Sequence, residues 1–103
     1  SLLLAKRPED EGRIHAVSSS YSWLANALYA LGRAAEAAQQ RKLQVQLFAG
    51  DLKSSAKMRS GYYSALYGYA QTQLALNRVG EARRLAAEAA EGLQKLRTLD
   101  ASD

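Results

Sequence analysis

Apolar residues recur along most of the chain at steps of three and four, the spacing of one face of an α-helix. The first such line is Ile14, Val17, Tyr21, Leu24, Leu28 and Leu31, and Gly32 ends it. This helix is predicted to start after Pro8, where Glu9, Asp10 and Glu11 suit the positive end of a helix dipole. A second helix is predicted over 34–49, with Ala34, Ala37, Ala38, Val45 and Phe48 on one side and Gly50 as terminator. Asp51 or Ser54 is the expected cap of a third helix over 52–76. That helix carries two apolar lines: Met58, Tyr62, Leu66, Tyr69 and Leu76, and beside them Tyr63, Tyr67, Ala70 and Leu74. Two lines imply contacts on two sides, or a surface left for binding. Asn77-Arg78 breaks the pattern. A fourth helix over 79–96 shows Ala82, Leu85, Ala86, Ala89, Leu93 and Leu96 as its buried face. Gly92 sits inside it and predicts a close helix crossing.

The four helices form two similar pairs. Laying WLANALYALGRAAEA (23–37) over GYAQTQLALNRVGEA (68–82), a shift of 45 residues, matches Ala25 with Ala70, Ala30 with Ala75 and Leu31 with Leu76. Arg33 meets Arg78, Glu36 meets Glu81 and Ala37 meets Ala82. Gly32 meets Asn77, the other residue type that readily enters the left-handed conformation just past a helix end. Agreement concentrates at the turn, where the chain must reverse. Ala34, Ala37 and Ala38 are expected to let the returning helix lie close. Each hairpin alone leaves a face unburied, so the second is expected to stack on the first.

YSWLANALYALGRAAEA (21–37) resembles the tetratricopeptide repeat. Tyr21, Leu24, Ala25, Leu28, Gly32, Glu36 and Ala37 follow that family's pattern in order, and Leu66, Tyr69, Ala70, Asn77, Glu81 and Ala82 form a weaker second copy in which Gln73 replaces a large apolar residue. The 45-residue spacing exceeds the family's usual repeat of roughly 34 residues, and no proline closes either pair. Longer repeats of this kind resemble those of kinesin light chains and of multidomain bacterial signalling proteins. The resemblance implies an all-α fold of antiparallel hairpins stacked as a short right-handed α-solenoid of about four helices. Its organisation is expected to be 1–7 as the end of a preceding helix or a tag remnant, hairpins over 9–49 and 51–98, and a tail over 99–103.

Composition narrows the chemistry. The chain has 103 residues, no cysteine, one proline and one histidine, which removes disulfides and thiolate chemistry and leaves His15 without a histidine or cysteine partner for a metal. His15 is therefore expected at an ordinary surface or boundary position. Glu9, Asp10 and Glu11 lack the alternating ligands of a calcium loop. No phosphate loop, dinucleotide glycine pattern or serine elbow occurs. These features predict a non-catalytic protein with no cofactor and no metal. The net charge of +4 is spread among acids; the nearest clusters are Lys53, Lys57 and Arg59, then Arg78, Arg83 and Arg84. A mixed solvated surface is the expectation, and a basic helical bundle binding nucleic acid is the alternative. No apolar run approaches a membrane span of about 20 residues, nor does the opening match a signal peptide. The expected setting is cytoplasmic, within a larger signalling or regulatory protein, and the abundance of alanine and arginine in the chain suggests a bacterial source.

Polar and aromatic positions remain. Ser18, Ser19 and Ser20 are expected on an exposed helix side, with phosphorylation the alternative. Trp23, beside the stripe, is expected to fill a junction between hairpins, a partner interface being the alternative. Tyr62 and Tyr69 belong to a core line; Tyr63 and Tyr67 suit either core or partner. In the family that the repeat resembles, first helices of successive repeats line a groove that holds a peptide. The resemblance places that groove here on Ser19, Ser22, Asn26 and Tyr29, and on Ser64, Tyr67, Gln71 and Leu74. Asn26 corresponds to an asparagine that bonds peptide backbone, whereas Ser22 and Ser64 stand where a carboxylate clamp would have lysines. The implied function is a scaffold that contacts a protein or peptide partner as a neutral extended segment or a helix. Two hairpins fall short of the about three repeats usual for independent stability, so self-association through exposed solenoid ends is expected. A spacer without any ligand is a further alternative.

Overall fold

The computed structural model describes residues 8–49 and 55–102. They form four helices, α1 (Pro8–Ala30), α2 (Ala34–Ala49), α3 (Ala56–Ala75) and α4 (Val79–Ser102), and no strand occurs among the described residues. Residues 1–7, the terminator Gly50 and the expected caps Asp51 and Ser54 lie outside them. The cap of α3 is instead Ser55, whose Oγ accepts from the Met58 backbone N–H at 3.1 Å and donates to Glu11 Oε1 at 3.2 Å. One serine thus satisfies an orphan donor of α3 and ties its start to α1. At the other end α4 continues to Ser102, past the Leu96 that its apolar pattern predicts.

The two turns close alike. The Arg33 N–H donates to Leu28 O at 2.9 Å and Gly32 N–H to Tyr29 O at 3.0 Å; Arg78 and Asn77 make the same two bonds to Gln73 and Leu74, both at 2.9 Å. This paired closure satisfies the last carbonyls of each first helix and requires a left-handed residue at its centre. Gly32 (φ 79°) and Asn77 (φ 64°) supply it.

In chain order each helix packs on the next, and α1 meets α3 along a narrower strip, so α3 lies in the groove between α1 and α2. One core joins Phe48, Met58 and Ala65, with Ile14, Val45 and Tyr62 packed around them. A second joins Leu66, Ala70, Leu85 and Ala89, bordered by Val45, Tyr62, Tyr63, Tyr69 and Ala86. Tyr62 and Val45 touch both and make them continuous. Two glycines let helices approach: a Cβ on Gly61 would stand 2.6 Å from the Phe48 ring, and one on Gly92 would overlap the ring of Tyr63. Tyr63 therefore fills a notch in α4, which settles its place as packing.

The apolar stripe of α1 is only partly buried. Ser18 and Ala25 are buried, whereas Val17, Leu24 and Leu31 are exposed, Leu31 to 69%. The face turned to α2 is the small and polar one. The apolar line Val17, Leu24, Leu31, at two-turn intervals, points outward from the end of the stack.

Candidate functional site

The buried side of α2 is Ala37, Ala38, Arg41, Gln44 and Phe48. From Ala37, steps of four, three and four reach Arg41, Gln44 and Phe48, and Ala38 lies beside them on the same helical face, yet two members are polar. Arg41 is 8% exposed, and its guanidinium reaches between α1 and α3. Nη1 donates to Ser22 Oγ at 3.2 Å and to Gln44 Oε1 at 3.0 Å, and Nη2 to Asn26 Oδ1 at 2.8 Å. Gln44 in turn donates through Nε2 to Ser18 Oγ at 2.9 Å and to the Ser18 carbonyl at 3.2 Å. No described carboxylate pairs with Arg41, and burial lowers its pKa. Neutral oxygens satisfy the charge here. Across the space, α3 presents Gly68, where a Cβ would lie 2.6 Å from Arg41 Cζ and Nε. The missing side chain makes room for the guanidinium.

This network changes the position of several predicted residues. Ser18 is buried and bonded, while Ser19 and Ser20 are exposed. Of the groove residues expected on α1, Ser22 is half-buried and Asn26 exposed, and both already accept from Arg41; Ser19 and Tyr29 are exposed. On α3, Ser64, Tyr67, Gln71 and Leu74 are all exposed. Tyr67, Gln71 and Leu74 border a groove of about 610 Å³ between α3 and α4, whose opposite wall is Val79, Ala82, Arg83 and Ala86. Ser22 and Asn26 thus belong to the Arg41 network, and Tyr67, Gln71 and Leu74 to this groove.

Sequence reasoning missed Arg41 and Gln44 because a charged and an amide side chain read as solvated. The repeat alignment held a usable signal, since a 45-residue shift sets Arg41 opposite Ala86 and Gln44 opposite Ala89, both on the predicted buried face of the fourth helix. His15 sits at a boundary, its ring edge-on to Phe48 with centroids 5.4 Å apart. Its buried Nε2 has no hydrogen-bond partner. Tyr62 Oη donates to Glu88 at 3.5 Å; burial first, and the Glu88 carboxylate second, raise its pKa.

Three of the exposed cations are paired with neighbouring acids. Arg33 pairs with Glu36, Arg84 with Glu81 and Glu88, and Lys95 with Glu91. Among the described residues no group of acids and histidines is arranged to hold a metal, and no helix is long and apolar enough to cross a membrane.

Paired helices, twin turns and a shared groove position define a helical-repeat protein. The sequence profile of the Tetratricopeptide repeat matches residues 18–41 and 63–88, segments that begin 45 residues apart, the spacing of the turn residues Gly32 and Asn77. The chain is a tetratricopeptide repeat protein, of a family whose repeats serve as protein-interaction scaffolds and are typically non-catalytic. No curated protein and no solved structure matches it.

Proposed function

We propose that the chain is a non-catalytic interaction module, part of a larger signalling or regulatory protein, that holds an extended peptide segment or a helix along its first helices. The observation that carries this reading is the exposure of equivalent positions on α1 and α3. Ser19, Asn26 and Tyr29 repeat as Ser64, Gln71 and Leu74 after 45 residues, each exposed. Tyr67, exposed to 47%, repeats the position of Ser22. Arg41 braces Ser22 and Asn26 from beneath, which fixes the Asn26 carbonyl inward and leaves its amide N–H groups to donate outward. Donors and acceptors of this neutral kind suit a peptide backbone, and an exposed tyrosine adds contact area at small entropic cost.

The test is selection from a displayed peptide library, followed by titration of the enriched peptide into wild type and the Asn26→Ala, Tyr67→Ala double variant. Loss of one hydrogen bond and one aromatic contact predicts affinity weaker by about 30-fold, with circular dichroism unchanged. Equal binding by both proteins would contradict the groove. So would retention of nucleic acid alone, with affinity falling steeply as salt rises.

A further inference from the structure

The α3–α4 groove has a counterpart inside the molecule. Shifted back by 45 residues, its border Tyr67, Leu74, Val79, Ala82 and Ala86 becomes Ser22, Tyr29, Ala34, Ala37 and Arg41, the walls of the groove between α1 and α2. That groove is occupied, because α3 lies in it. The residues by which α3 docks include Tyr62, packed on Phe48, Met58 and Ala65, and Tyr69 and Leu76, set beside Ala35 and Ala38 of α2. Shifted back, these three become Val17, Leu24 and Leu31, the outward apolar line of α1. The molecule therefore carries an open groove at one end and, at the other, the face that corresponds to the helix filling the closed one.

Side-chain sizes fit the match. Inside the molecule a large residue of the groove, Arg41, meets a glycine of the docked helix, Gly68. The equivalent pair across the open ends is Ala86 in the groove and Trp23 on α1, with large and small exchanged. Trp23 is 74% exposed and Leu74, at the groove rim, 58%. An indole side chain is a large apolar group, and the groove offers about 610 Å³ beside Ala86.

We propose that the α3–α4 groove is the docking site for α1 of a second copy of this chain, joined head to tail, with Trp23 seated over Ala86 and Val17, Leu24 and Leu31 along α4. Such an interface joins two different patches, so each added copy leaves one groove and one α1 face free. Association is open-ended rather than closed at a dimer. It also sets the peptide strip of one copy in line with that of the next, although it does not depend on peptide binding.

Sedimentation equilibrium over a concentration series tests this. Wild type is expected to gain mass with concentration beyond a dimer. Trp23→Ser keeps only the groove and Ala86→Arg only the α1 face, so each alone is expected to associate at least about 30-fold more weakly. Mixed one to one, the two variants are expected to form a dimer that grows no further. Helicity and urea midpoints confirm folding, and Leu74→Lys replaces Ala86→Arg if that variant is unfolded. A wild type that stays monomeric would assign the groove to some other segment and overturn the proposal. Single variants that associate like wild type, or a mixture that remains monomeric, would overturn it as well.

Discussion

The same groove is built twice in this molecule, once closed and once open. Between α1 and α2, Arg41 extends across the floor, Gly68 yields to it, and α3 covers both. Between α3 and α4, Ala86 leaves that space empty, and Tyr67, Leu74 and Val79 are exposed around it. The backbones and turns follow one plan, so the difference lies in side chains. A polar brace stabilises the first groove around a helix already in place, whereas a smooth apolar floor leaves the second ready to receive one.

The equivalent core positions should diverge most on truncation. Phe48 is fully buried and its counterpart Leu93 only partly. Phe48→Ala is expected to cost about 3–5 kcal/mol and Leu93→Ala distinctly less, as read by urea denaturation. Equal losses would erase the distinction between the two hairpins.

Next in size is the brace. Arg41→Ala removes the donor to Ser22, Asn26 and Gln44, and should cost about 1–3 kcal/mol. Hydrogen exchange at the α1–α2 junction should speed up more than at the α3–α4 junction. A uniform effect across both would show that the network does not stabilise the first groove specifically.

The smallest contrast is at the turns. Gly32→Ala forces a Cβ into a left-handed position and should cost about 1–2 kcal/mol, while Asn77→Gly at the matching position should be near neutral. Thermal unfolding of the two variants checks the equivalence of the turns.

Much of the fold was legible because it rests on local physics. Gly32 and Asn77 mark reversals by their backbone preference, and Ala82, Leu85 and Ala89 mark the inner face of α4 by period alone. The outward line of α1 was legible as an apolar face but not as an exposed one, since periodicity says that Val17, Leu24 and Leu31 favour burial and not which helix buries them. Gly92 in the sequence predicts a crossing point, but only the packing of α3 on α4 makes Tyr63 its occupant. Arg41 and Gln44 were hidden for the opposite reason: their chemistry argues for solvent, and only the oxygens of Ser18, Ser22 and Asn26, brought up by the hairpin, make their burial favourable.

The most direct test of the correspondence between the closed and open grooves is the emission of Trp23, the single tryptophan of the chain. At low concentration the indole is exposed and should emit at the long wavelength of a solvated ring. A Trp23 seated over Ala86 of a second copy should shift to shorter wavelength with rising concentration, in step with sedimented mass, and the shift should be abolished by Ala86→Arg. Mass that rises while the emission stays fixed would place the contact elsewhere and contradict this seating.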